Sequence, residues 1–109
     1  MKAKPYTGSQ LQDQIIDLAH VYGWQVAHFR PAMTKYGYRT AVSGDGKGFP
    51  DLIMVKPPRI VVFECKSQYE KLSPEQEKWM SLFKECLGDN AQVVRFSDWE
   101  EITKILENR

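Results

Sequence analysis

Asp51, Glu64 and Lys66 sit at the ends of two apolar runs, where a buried strand would ordinarily exclude charge. The runs, residues 52–55 and 60–63, lie within GFPDLIMVKPPRIVVFECKSQ, residues 48–68. Short apolar runs bounded by turn residues read as strands. The KPPR between them must turn, because paired prolines cannot continue a hydrogen-bonded ladder. The strands then form an antiparallel hairpin, with Asp51 at the start of one beside Glu64 at the end of the other.

Adjacent carboxylates repel and lose hydration, so one takes up a proton unless a cation stands between them. Mg²⁺ prefers oxygen ligands, keeps several waters, and takes one or two protein carboxylates together with substrate phosphate. Asp51 and Glu64 fit that description, and the main-chain carbonyl of Cys65 adds a third oxygen if the strand end splays. Lys66 follows Glu64 by two and faces the same side of a strand. An ammonium there can orient or deprotonate an attacking water, or neutralise charge building on a phosphate. With a metal, these parts suit hydrolysis of a phosphodiester. Plainer readings stand beside this one, since a Glu–Lys pair on a strand is usually a solvated face and a Pro–Asp step is usually a turn.

The elements that must position these groups follow from pattern. Leu11, Ile15, Leu18, Ala19 and Tyr22 have helical spacing within residues 9–22, and Gly23 is a suitable stop. Residues 24–28 alternate weakly, as a short strand does. Residues 29–48 show no period and read as a long loop with room for a hairpin. Gly46, Gly48 and Pro50 surround Asp51. Glycine allows close backbone approach, and Pro50 holds Phe49 extended. Ser73, Pro74 and Gln76 form a helix start with a capping box, and Gly88 ends that helix. Its apolar stripe is Trp79, Phe83, Cys86 and Leu87, with Met80 beside it. Residues 91–96 read as a strand. A last helix begins at Ser97, capped with Glu100, and carries Trp99, Ile102, Ile105 and Leu106 on one stripe. The order αβββαβα predicts an α/β fold: one mixed central sheet flanked by helices, with a βαβ crossover through the Ser73 helix.

The chain has 109 residues, 42% hydrophobic and 27% charged, with net charge +1, the balance of one soluble domain spanning residues 1–109. No apolar run reaches the roughly 20 residues of a membrane span, and the N-terminus lacks the apolar middle of a signal peptide. A cytoplasmic location is expected. Cys65 and Cys86 have no metal-binding spacing and read as buried thiols. With so little net charge, DNA binding would need a local basic patch. Arg30, Lys35, Arg39 and Lys47 supply one, interleaved with Phe29, Tyr36 and Tyr38 against a single acid, Asp45. Taken alone, that segment reads more simply as a solvated loop. His20 and His28 read as satisfied within the fold, with His28 also placed to meet phosphate.

Pro50-Asp51 and Glu64-Cys65-Lys66 resemble the PD-(D/E)xK nuclease motif. More specifically, GWQVAHFRPA, GDGKGFPDLIMV, VVFECKS, LSPEQEKW and FSDWEEI, in this order, resemble the VRR-NUC domain over about residues 11–106. That module occurs as small stand-alone phage and bacterial proteins and at the end of larger DNA-repair nucleases. The resemblance implies a Mg²⁺- or Mn²⁺-dependent DNA endonuclease. In it Asp51, Glu64 and the Cys65 carbonyl bind metal, Lys66 is catalytic, and Gln76 lies near the active site. It also implies structure-specific cleavage of branched or Holliday-junction DNA, by a homodimer, in the cytoplasm of a bacterium or a phage-infected host. With that fold in view, Arg30, Lys35, Arg39 and Lys47 become candidate DNA contacts. One departure stands out. The family often carries a glutamate in the first helix, where this chain has Gly8, Ser9 and Gln10, so Gln10 or Gln12 would reach the metal-bound water instead. Asp13 and Asp17, the nearest acids, read as solvent-facing. The alternatives are a weak or inactive DNA-binding module on the nuclease fold, and an interaction domain that needs a partner.

Overall fold

Residues 7–29, 32–34, 37–39 and 44–107 are described by the structure, a computed structural model, with 32–34 and 37–39 described by backbone. Helix α1, Gly8–Val21, starts at a reciprocal cap between Thr7 and Gln10. It ends at Gly23, whose φ of +86° suits glycine. Then come β1 (Gln25–His28), β2 (Ala32–Thr34), β3 (Gly37–Arg39), β4 (Leu52–Lys56) and β5 (Arg59–Cys65). Helix α2 (Pro74–Leu87), β6 (Ala91–Val94) and α3 (Trp99–Glu107) complete the chain.

Four strands form one mixed sheet in the order β1-β4-β5-β6, antiparallel except for the β5–β6 joint. The β5–α2–β6 passage is the expected βαβ unit. Inside the segment read as a loop, β2 and β3 make a separate two-stranded hairpin. Strand alternation sorts the two sheet faces. Leu52, Met54, Val61, Phe63 and Cys65 pack with Leu11, Ile15 and Ala19 of α1 and with Ile102, Ile105 and Leu106 of α3. Val62 and Ala91 pack with Met80 of α2 on the opposite face. The result is three layers, with helices on both sides of the sheet. Among the described residues no helix is long and apolar enough to cross a membrane.

Three local expectations change. The strand read over residues 91–96 stops at Val94, and Phe96–Asp98 turn as a 3₁₀ segment. The Ser97–Glu100 capping box gives way to an earlier closure, in which the Asp98 carboxylate accepts the Arg95 N–H at 2.8 Å. Cys86, expected to be buried, is exposed. At about 100° per residue it lies well round the helix from Met80, and its short side chain cannot reach the sheet as the half-buried Phe83 and Leu87 do.

The segment leading to Asp51 is stitched to α2. The Phe49 ring meets Trp79 edge-on at 5.0 Å and Phe83 at 5.9 Å. Trp79 donates to the Asp45 carbonyl at 3.0 Å. Gly48 has φ +81°, and a Cβ there would stand 2.7 Å from the Glu75 carbonyl carbon. Both the space and the backbone angle require glycine. Gly48→Ala is expected to destabilise the protein by about 1–3 kcal/mol, read as a lower urea midpoint. An unchanged midpoint would show that the loop and α2 are not held this closely.

Candidate active site at the hairpin end

Leu52 pairs with Phe63. One step further along that register puts Asp51 opposite Glu64, as the antiparallel hairpin requires. Because side chains alternate, both point away from the α1–α3 core and towards the α2 face. Asp51 is anchored twice: its carbonyl accepts the Phe29 N–H at 3.0 Å, and its Oδ2 accepts the Cys65 N–H at 2.8 Å.

Glu64 is 1% exposed. Its Oε1 accepts from the Gln76 amide at 3.3 Å, while Oε2 is buried with no hydrogen-bond partner among the described residues. Gln76 is free to reach it because its own Oε1 caps Ser73 while its Nε2 faces Glu64. Both roles expected of Gln76, cap and site neighbour, are thus occupied at once. Burial, then the negative charge of Asp51 and a hydrogen bond shared with it, push the Glu64 carboxyl up to about 8, and the Lys66 ammonium pulls the other way. A proton held between the carboxylates, or a cation, would relieve this arrangement.

Lys66 lies just past the end of β5 and is 7% exposed. Its N–H continues the sheet to the Val94 carbonyl at 3.0 Å. Its ammonium is 3.4 Å from the Glu70 carboxylate, a partner that spacing from Asp51 and Glu64 did not disclose. The Cys65 side chain belongs to the α1–α3 core, and burial raises its thiol far above the ordinary range. The Cys65 carbonyl faces the start of α1: a Cβ on Gly8 would stand 3.1 Å from that oxygen.

The structure brings Asp51, Glu64, Lys66 and Gln76 to one end of the hairpin. The candidate DNA contacts are less fully described. Arg30 and Lys35 lie outside the described residues, and Arg39 is described by backbone in β3. Lys47 is exposed and paired with Glu75 at 3.4 Å on the first turn of α2, the residue before Gln76. Gln10 is occupied by its reciprocal cap with Thr7, and Gln12 hydrogen-bonds His28. Asp13 and Asp17 face solvent, as expected. Among the described residues no three His, Cys, Asp or Glu side chains converge on one point.

Compared with known families, the chain matches the family model of the VRR-NUC domain over residues 10–98. Comparison with curated proteins and with solved structures gives no match.

The raised Glu64 carboxyl gives a signed stability prediction for the metal-free protein. Between about pH 4.5 and 8 the folded state keeps a proton that the unfolded chain has released. The stability present below that window is therefore lost as pH rises through it, by up to about 1.4 kcal/mol per pH unit. Glu64→Gln cannot ionise. Urea denaturation should find it more stable than the parent at about pH 8, with the gap narrowing towards about pH 5. A gap independent of pH would mean that Glu64 ionises freely in the fold.

Proposed function

The chain belongs to the VRR-NUC family, and from that premise we propose that it is a Mg²⁺- or Mn²⁺-dependent DNA endonuclease acting on branched or junction DNA. Membership indicates a nuclease-type function and, with it, nucleic-acid binding. One observation supports the finer reading: Glu64 Oε2 is buried beside a second carboxylate and has no hydrogen-bond partner among the described residues. Two clustered carboxyls are a hard-oxygen donor set suited to a divalent cation. Asp51, Glu64 and the Cys65 carbonyl would hold the ion, which supplies Lewis acidity to the phosphodiester and its attacking water.

The protein's own groups have separable tasks. The Cys65 N–H fixes one Asp51 oxygen and so holds that carboxylate in place beside Glu64. The Gln76 amide orients Glu64. The buried Lys66 ammonium can align a water for attack on phosphorus or offset charge as the P–O bond to the leaving strand breaks. A second reading, a weak or inactive DNA-binding module, is favoured by the start of the first helix: the family often carries a glutamate there, whereas this chain has Gly8, Ser9 and Gln10, and Gln10 is committed to its reciprocal cap with Thr7.

Cleavage of matched single-stranded, duplex, splayed-arm and four-way-junction oligonucleotides, with Mg²⁺, Mn²⁺, Ca²⁺ or EDTA, separates these readings. Asp51→Ala, Glu64→Ala and Lys66→Ala should each lower the rate by about 100-fold or more with the fold intact. Full activity in all three would refute the assignment. Junction binding without nicking in either metal would favour the binding module.

Arg30, Lys35, Arg39 and Lys47 are proposed to contact DNA phosphates. Replacing Arg30, Arg39 and Lys47 by alanine should weaken binding and flatten its dependence on salt, the logarithmic slope falling by about 0.9 for each phosphate no longer neutralised. An unchanged slope would place the phosphate-binding residues elsewhere. Cutting opposite strands of a junction uses two such sites, which a homodimer supplies. Light scattering should then give twice the chain's mass, and a strict monomer at assay concentrations would count against junction resolution.

A further inference from the structure

The segment after β5 is built around Lys66 more elaborately than a surface turn needs. Glu70 is its centre. One carboxylate oxygen, Oε2, lies 3.4 Å from the Lys66 ammonium. The other, Oε1, accepts from the Ser67 N–H at 3.4 Å and the Ser67 hydroxyl at 3.3 Å. The Glu70 N–H returns to the Ser67 carbonyl at 3.3 Å, and the Glu70 carbonyl accepts from the Arg95 guanidinium at 2.7 Å. The backbone N–H of that same Arg95 is held by Asp98, and the preceding residue, Val94, receives the Lys66 N–H. The exit of β6 therefore grips both ends of the segment 66–70.

The exposures of the two partners differ. The Lys66 side chain is 8% exposed and that of Glu70 is 51% exposed. An exposed glutamate on an ordinary turn gains little from an ion pair. Here its partner is a buried ammonium carried on a flexible four-carbon stem, which a carboxylate can hold in one place. Glu70 is not itself a ligand candidate, because no third carboxylate joins Asp51 and Glu64 among the described residues.

We propose that Glu70 is a positioning residue: it holds the Lys66 ammonium at the carboxylate pair, on a turn clamped by Arg95. This rests on the reading of Lys66 as a working group of the proposed nuclease. Glu70 touches neither substrate nor reacting atoms in this role and acts through Lys66.

The test uses the full chain and two readouts. Glu70→Gln keeps the side chain's length and an acceptor for Ser67 but removes the charge. Its single-turnover cleavage rate at saturating junction DNA should fall at least about tenfold, while DNA affinity stays within about twofold, a loss confined to the chemical step. The second readout is the ¹⁵Nζ–¹H signal of Lys66 by NMR, assigned by its absence in Lys66→Ala. It should be visible in the parent, where the ammonium is hydrogen-bonded, and vanish in Glu70→Gln. A parental cleavage rate in Glu70→Gln, a loss in affinity alone, or an unchanged Lys66 signal would each overturn the proposal. If the parent cuts no DNA under any condition, the nuclease reading fails, and the Lys66 signal still decides whether Glu70 holds the ammonium.

Discussion

A carboxylate buried beside another carboxylate is the constraint around which this molecule is arranged. Removing Glu64 from water costs several kcal/mol unless its charge is compensated, and Asp51 makes the cost larger. An apolar residue at position 64 would extend the run of buried side chains along β5 without penalty. The surroundings supply partial relief: one amide from Gln76, the Asp51 main-chain N–H and a nearby ammonium act on Glu64, and the Cys65 N–H holds Asp51 still. Strongly perturbed carboxyls of this kind cluster at functional sites.

No single element could hold it. The β4–β5 register sets Asp51 against Glu64. Helix α2 supplies Gln76, and its own placement depends on Phe49, Gly48 and Trp79 locking the approach to β4 against its first turns. Strand β6 receives Lys66 through Val94 and governs the turn beyond it through Arg95. The site therefore draws on residues scattered between Asp45 and Arg95, yet each link is short-range. A displacement at the loop, the helix or the sheet edge would reach the carboxylate pair through two or three such links.

Much of this was legible in the sequence, for identifiable reasons. Pro57 and Pro58 forced the turn, which fixed the pairing of Asp51 with Glu64. The Ser73–Gln76 box marked the start of α2 within one residue. Apolar spacing also picked out the buried members of α1 and α3. What could not be read depended on three-dimensional detail. Cys86 looked like core because the stripe on α2 is broad, and only the docking angle of that helix decides which side chains reach the sheet. Asp98 displaced Ser97 and Glu100 as the closing group because a 3₁₀ turn intervened, and no periodicity announces one. Glu70 was missed because a carboxylate four residues from a lysine suggests a helix pair, whereas here both lie outside regular structure.

The middle residue of the Glu64-Cys65-Lys66 triplet is read by a different part of the protein from its neighbours. Its side chain is sealed into the α1–α3 core with its thiol held protonated, while Cys86 stands in solvent. Of the two thiols, that of Cys86 is therefore the one open to alkylating reagents. A fluorophore or spin label would attach on the outer side of α2 without entering the core behind the carboxylates. The chain carries its own reporter address on the helix that supplies Gln76, suited to following that helix while the site is occupied.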